Sequence, residues 1–273
     1  MATEATTGEG RLWAAGEAYE PYVGRWSRLV AAPFVARLDV APGARWLDVG
    51  CGTGALSAAI LRDGDPAAVV GVDPSEGFLA YARGHASDPR AEFRQGDAQA
   101  LPVKDAEFDV AVSGLVLNFV PDHDLAARQL RRAVRPGGTV AAYVWDYAEG
   151  MQMMRRFWDA AAALDPDGAA GKDEALRFQL CRPEPLRNLF VAAGLADVEV
   201  GAIEIPTVFR DFDDYWSPFL AGGAPAPAYC MALDAERRAA LRERLRTTLP
   251  TAADGSIPLT ARAWAVVATV PRT

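Results

Sequence analysis

Residues 46–54 read WLDVGCGTG: an apolar stretch suited to a buried strand, one carboxylate inside it, then Gly50, Gly52 and Gly54 separated by single residues. Glycine reaches backbone conformations with φ > 0 and lets a ligand approach the main chain to contact distance. In an open α/β sheet that ligand sits beyond the carboxyl ends of the strands, where the first N–H groups of the following helix have no partner within it. The stretch therefore predicts a strand, a cradle for a nucleotide-type ligand and a helix, in that order. The helix is expected at ALSAAILR, residues 55–62, where apolar residues recur at helical spacing.

Outward from this stretch the rhythm repeats. Short apolar runs at 45–50, 67–73, 91–97, 108–114 and 139–145 alternate with helix candidates at 55–62, around 76–83 and from Leu125 to Val134. Parallel neighbours need crossovers, so short runs separated by helices predict an open α/β sheet. After Asp146 the pattern becomes mostly helical: 151–164, a region around 172–193 with a proline-marked start in RPEP (182–185), DFDDYWSPFL, and Leu233 to Leu249. The segment GGAPAPA at 222–228 reads as a loop, and 197–205 and 259–270 as late strands. The helical stretches at 149–184 and 207–252 are expected to cover one edge of the sheet.

Two carboxylates sharpen the ligand. The turn also satisfies G-x-G-x-x-A through Gly50, Gly52 and Ala55, a form shared with dinucleotide sites. Asp73 ends the next apolar run, 19 residues after Gly54, where an acid can accept from both ribose hydroxyls and would repel a 2′-phosphate. Its alternative role is a helix cap before PSEGF; for Asp48 the alternative is a structural hydrogen bond to the glycine loop.

Composition bounds the rest. The 273 residues are 51% hydrophobic and 23% charged, enough to bury a sizeable core. Lys and Arg number 28 against 36 Asp and Glu, a net charge of −8, which disfavours nucleic acid as a partner. The likeliest basic run, RQLRRAVR at 128–135, reads as an amphipathic helix with a solvated arginine face. Cys51, Cys181 and Cys230 lie far apart without CxxC spacing, so neither a disulfide framework nor a metal site is expected. The polar start MATEATTGEG lacks a leader pattern and no run suits a membrane span, so a cytoplasmic protein without integral membrane association is expected.

The stretches WLDVGCGTG, GVDPSEGFL, GDAQALP, FDVAVSGLVLNFVPD and VRPGGTVAAYVW together resemble, in order and rough spacing, the class I methyltransferases that use S-adenosylmethionine. The resemblance is to the UbiE-like, or type 11, group of small-molecule enzymes and spans about residues 44–147. It implies a Rossmann-like core at 41–148, with a seven-stranded, mostly parallel sheet and a reversed last strand. The pieces at 185–206 and 253–273 would complete that core. It also implies that Asp48 and the backbone of Gly50, Cys51 and Gly52 contact the methionyl end of S-adenosylmethionine, and Asp73 the ribose. Pro74 would face the adenine, Asp97 and Ala98 its edge, and Ser113 the methionyl amine. In similar enzymes an N-terminal helical segment, here within 1–40, folds over the cofactor, which makes Tyr22, Arg25 and Trp26 lid candidates; the competing reading has Arg25 and Arg28 facing solvent while the aromatics anchor the helix to the sheet.

The residues favour this ligand over a dinucleotide on one count. A methionyl ammonium needs an anion near the glycines, where a dinucleotide would place pyrophosphate, and Asp48 suits only the first. On the acceptor side, His123 follows the fourth strand near the carboxyl edge and is the better placed of two histidines for a base, with a surface helix start as its competing role. Where relatives commonly carry His, this chain has Asn118 or Phe119. Trp145 and Tyr147, at the end of the fifth strand, face the expected acceptor zone, and Phe157, Trp158, Tyr215, Trp216 and Phe219 together suggest an apolar pocket. The expected function is methyl transfer to a small, apolar or aromatic metabolite through oxygen, nitrogen or carbon, with a homodimer kept open as the assembly. The competing readings are an NAD-dependent oxidoreductase and a non-catalytic protein that binds S-adenosylmethionine.

Overall fold

The computed structural model describes residues 24–221 and 224–272. The strand ahead of the glycines is β1 (Arg45–Val49), buried at every position after its exposed first residue. It lies between β2 (Ala68–Asp73) and β4 (Phe108–Gly114), with β3 (Ala91–Gln95) beyond β2. On the other side follow β5 (Val134–Trp145), β7 (Ile257–Thr269) and β6 (Ala196–Phe209), giving the order β3-β2-β1-β4-β5-β7-β6. Only β7 runs against its neighbours. The seven-stranded, mostly parallel sheet with a reversed last strand is thus the one expected. Register carries the chemistry: Asp48 lies opposite Gly71 and Val49 opposite Val72, so Asp73 ends one residue beyond β1 and both acids reach the carboxyl edge.

Helices α1 (Arg25–Arg37), α2 (Ala55–Asp63), α3 (Glu76–His85) and α4 (His123–Ala133) pack around this core. Helix α4 is capped by Asp122, which accepts from Leu125 N–H. Its arginines are not all solvated: Arg132 donates to the carbonyls of Leu101 and Val103 and pairs with Asp105, tying down the chain ahead of β4. The cover consists of α5 (Gln152–Leu164), α6 (Pro166–Ala169), α7 (Glu174–Arg177), α9 (Phe212–Trp216), α10 (Pro225–Ala232) and α11 (Ala235–Thr248), while α8 (Pro183–Ala192) packs on β6 and α4.

Three expectations need correction. The region 172–193 holds two helices, α7 and α8, because the extended backbone of Arg182 precedes the Pro183 that starts the second. The segment at 222–228 is not all loop: α10 begins within it at Pro225, where the missing N–H costs no helical bond. Strand β6 runs on to Phe209, past the expected end at 205, and takes residues 207–209 from the cover; Pro206 is tolerated because β6 lies at the sheet edge.

Candidate active site

Gly50, Gly52 and Gly54 all have positive φ, at 73°, 53° and 88°. The first bends the chain out of β1, and Gly50 and Cys51 N–H both donate to Val72 O, at 2.7 and 3.1 Å. A Cβ on Gly50 would lie 2.4 Å from Val116 Cγ1, so glycine is required by space as well as by φ. Gly52 differs: a Cβ there would meet nothing within 4 Å. Gly54 forms the start of α2 without a side-chain cap, leaving the helical N–H groups to whatever lies in front of them.

Two acids bracket this turn. Asp73 fastens it: Oδ2 accepts from Gly52 N–H at 3.0 Å and Oδ1 from Ser75 N–H at 2.9 Å. Ser75, not Asp73, caps α3, through Phe78 N–H. Burial raises the Asp73 carboxyl above its ordinary range, against those two backbone bonds. Asp48 is 1% exposed; its Oδ2 accepts from Ser57 Oγ at 2.6 Å, while Oδ1 has no partner. Its structural bond is therefore to α2, and Asp73 supplies the bond to the glycine loop. Burial pushes the Asp48 carboxyl up to about 7; the Asp73 charge adds to this, and the Ser57 hydroxyl and N–H oppose it. The Cys51 thiol turns away toward Gly71, where burial raises it further into its protonated form.

In front of these groups lies a cavity of about 380 Å³. Asp48, Gly50, Cys51, Gly52, Asp73, Pro74, Asp97 and Ala98 all line it. Asp97 is held by Gln99, whose N–H donates to Oδ1 at 2.8 Å. The remaining wall includes Ser27, Phe78, Gly114, Leu115, Val116, Phe119, Val120 and Tyr143, none of them an expected site residue. Leu115 has a φ of +62°, a strained conformation for a leucine, and its N–H donates to Tyr143 O at 2.8 Å. Among the described lining residues no Lys, Arg or His occurs.

The structure leaves other expected residues outside this cavity. Ser113 is fully buried and its hydroxyl donates to Val49 O at 2.9 Å; side chains alternate along β4, so Gly114 takes the wall instead. Arg25 pairs with Asp214 at 2.9 Å and lies over the Trp26 and Phe209 rings, and Trp26 packs edge-on against Phe209. Both anchor α1 to β6 and the cover, and Ser27 is the residue of α1 that meets the cavity. Tyr22 lies outside the described residues. Trp145 is buried at the end of β5, and Tyr147 packs on Phe178, which in turn meets Phe119. His123 begins α4 and lines a second cavity with Asn118, Arg177 and Asn188. Phe157, Trp158, Tyr215, Trp216 and Phe219 line neither cavity; they pack on one another, with Phe157 and Phe219 stacked at 4.4 Å.

Among the described residues no helix is long and apolar enough to cross a membrane, and no cluster of His, Cys, Asp and Glu could hold a metal ion.

Comparison with known proteins gives this cavity a family. The methyltransferase domain family matches residues 47–142, from β1 into β5. An uncharacterized protein of Mycobacterium tuberculosis is 34% identical over 171 residues, 60% of this chain and 61% of that protein, so the match spans about three-fifths of that relative. Demethylmenaquinone methyltransferase of Shouchella clausii is 31% identical over 182 residues, 60% of this chain and 75% of that enzyme. Among solved structures, phosphoethanolamine N-methyltransferase 2 of Haemonchus contortus in complex with S-adenosyl-L-methionine shares the fold at a TM-score of 0.58 and 17% identity, over 97% of this chain and 58% of that one. With the sheet order, the glycine turn and this relatedness together, the chain belongs to the class I S-adenosylmethionine-dependent methyltransferase family.

Proposed function

We propose that this protein transfers the methyl group of S-adenosylmethionine to a small, apolar or aromatic metabolite. One observation carries the reading: Asp48 lines the cavity with the glycines, and its Oδ1 is buried without a partner. A buried acceptor without a donor is costly, and a cationic ammonium would satisfy it. The pyrophosphate of a dinucleotide at the same place would add negative charge to a wall that already holds Asp48, Asp73 and Asp97 and no described cation. The open space over Gly52 and the size of the cavity also fit a nucleoside bearing an amino acid.

In this reading Asp48 holds the methionyl ammonium and the backbone of the Gly50–Gly54 turn lies against the rest of the amino acid. Asp73 accepts from the ribose hydroxyls with the lone pairs left by Gly52 and Ser75. Pro74 and Phe78 flank the adenine, and Asp97 with Ala98 meets its edge. The bound cofactor supplies an electrophilic methyl on a sulfonium, open to in-line attack. The chain contributes position and exclusion of water: Leu115, Val116, Phe119 and Val120 give the acceptor an apolar wall. Without a described His or Lys on that wall, the acceptor must be nucleophilic largely through its own chemistry, as phenolate, free amine or activated carbon. His123, Trp145 and Tyr147 have supporting roles at most, since none of them lines this cavity. An aromatic acceptor is further supported by the relative named for demethylmenaquinone.

Titration calorimetry with S-adenosylhomocysteine and with NADH tests the cofactor. Binding of the first alone is expected; binding of NADH alone would overturn the reading. A screen of phenols, amines and carbon acids, read as homocysteine released from S-adenosylhomocysteine by a coupling hydrolase, then tests transfer against a non-catalytic role.

A further inference from the structure

Beside Asp97 the cavity wall carries an amide that the sequence does not single out. Gln99 lines the cavity, and its side chain is engaged at both ends. Nε2 donates to Asp97 Oδ1 at 3.2 Å and to Oδ2 at 3.3 Å, in addition to the 2.8 Å bond from the Gln99 backbone N–H to Oδ1. Oε1 accepts from Asp122 N–H at 3.1 Å. An ionised carboxylate only accepts and a backbone N–H only donates, so these two partners fix which end of the amide is nitrogen and which is oxygen. Asp122 is itself held, because it caps α4 through Leu125 N–H. The same helix fastens the chain just beyond Gln99, where Gln129 accepts from Leu101 N–H at 3.3 Å and Arg132 donates to Leu101 O at 3.1 Å. Gln99 thus stands on a braced support and reaches from it to the carboxylate.

We infer that Gln99 is a positioning residue for the cofactor: it holds the Asp97 carboxylate in place to accept from the exocyclic amine of adenine, and takes its own bearing from the start of α4. This rests on the cofactor reading above, in which Asp97 meets the adenine edge. Asp97 is exposed in the ligand-free protein, and an exposed carboxylate has to be ordered when a ligand binds. Two donors from Gln99 converge on Oδ1, whereas Oδ2 receives only the longer contact from Nε2, so acceptor capacity remains while the group is held. The ordering is then done before the adenine arrives. A purely structural tie between the loop and α4 would affect every ligand of the cavity alike; a positioning role affects only those that present the amine.

The test compares two ligands by calorimetry: S-adenosylhomocysteine and its 6-deamino analogue, which carries hydrogen in place of the exocyclic amine. The wild type should prefer the first by roughly tenfold or more, the range for a hydrogen bond to a charged group. Gln99→Met, of similar length and unable to donate, should weaken S-adenosylhomocysteine roughly two- to tenfold, as expected when one side chain has to be ordered on binding, and leave the analogue unchanged. Gln99→Leu repeats the comparison with a second apolar side chain. A preference that survives in both variants would overturn the inference, whether neither affinity moves or both fall together. Asp97→Ala provides the second arm: it should abolish the preference, and adding Gln99→Met to it should cost nothing further. A full additional loss in the double variant would show that Gln99 acts by another route and would also overturn the inference. Equal binding of both ligands by the wild type would refute it while leaving the cofactor reading intact; binding of neither would end the cofactor reading itself.

Discussion

The carboxyl edge of β1, β2 and β4 and the aromatic cover at 151–232 are both dense in residues that sequence inspection marks as functional, yet they use them in opposite ways. At the edge, groups are left without internal partners: Gly52 faces open space at φ +53°, and Asp48 Oδ1 accepts from nothing. In the cover every marked ring meets another, as in the stack of Phe157 on Phe219 and the contact of Trp158 with Tyr229. Even its buried acid is satisfied, since Glu174 accepts from Trp158 Nε1–H and Ala226 N–H. The difference teaches that incompleteness, rather than residue type, distinguishes a site from a core. A ligand is what completes the edge; the marked rings of the cover are packed on one another without one.

The largest effect should come from removing the acid that holds the edge open. Asp73→Ala deletes the acceptor for Gly52 and Ser75 N–H and for the ribose. Hydrogen bonds to a charged group are each worth roughly 1.5–3 kcal/mol, so loss of two ribose bonds should weaken S-adenosylhomocysteine by about a hundredfold or more. Calorimetry reads this directly, and an unchanged Kd would mean that the ribose lies elsewhere. In the cover, Phe157→Ala should cost about 3–5 kcal/mol of stability by urea denaturation, as a large buried ring is lost. Its affinity for S-adenosylhomocysteine should stay near that of the wild type; a parallel loss of binding would erase the distinction between the two regions.

The glycines sharpen the contrast within the edge itself. Gly50→Ala meets both the left-handed φ and Val116, and should cost roughly 2–5 kcal/mol of stability. Gly52→Ala meets only the φ penalty, about 1–2 kcal/mol, but sets a methyl group in the open space. Stability should therefore rank Gly52→Ala above Gly50→Ala, while ligand affinity drops in both. A Gly52→Ala variant with full affinity would show that the space is not used.

What could be read from the sequence follows the same division. The glycine turn, Asp48 and Asp73 were legible because their geometry is local: a strand end, a bend and the next strand end, joined by register. Ser113 failed by one residue, because alternation along β4 turns it inward and leaves Gly114 on the wall. Arg25 failed because its partner Asp214 lies 189 residues away, and no local pattern announces such a pair. Tyr143 and Phe119 were missed as wall residues for the same reason: as buried or loop aromatics they look like those of the cover until the tertiary fold sets them beside the glycines. The extent of β6 was underread because Pro206 argues against a strand unless its place at the edge is known.

Protonation separates the regions by place. Asp48 and Glu174 are both pushed up to about 7, chiefly by burial. In the ligand-free protein each acid holds its proton when folded and loses it near its ordinary value when unfolded. Stability should therefore fall as pH rises from about 4 to about 7 and level off above. Only Asp48 faces the cavity, so only it should couple to ligand. Affinity for S-adenosylhomocysteine should rise by up to about tenfold per unit as pH climbs toward about 7, with proton release on binding, and flatten beyond. Calorimetry in buffers of different ionisation enthalpy counts those protons. Asp48→Asn should weaken binding and remove the slope, whereas Glu174→Gln should leave the binding slope in place; a slope that survived in Asp48→Asn would assign the proton to another group.

The smallest effect is expected at His123, which sequence position made a candidate base or a surface helix start. It lies in the first turn of α4, where Asp122 already supplies the cap, and it lines the second cavity rather than the one that holds Asp48. The ring pair of Phe119 and Phe178 stands between the two groups of lining residues. His123→Ala should therefore change stability by less than about 0.5 kcal/mol, as surface substitutions usually do, and leave the Kd for S-adenosylhomocysteine within about twofold. The same variant probes the acceptor once a methylated compound is found in the screen. Retained turnover is the expected result, because on the proposed reading the acceptor meets the wall of Leu115, Val116, Phe119 and Val120, which His123 does not line. If turnover were lost while cofactor affinity held, the acceptor would have to reach past Phe119 into the second cavity, and that cavity, complete in appearance, would prove to be the other half of the site.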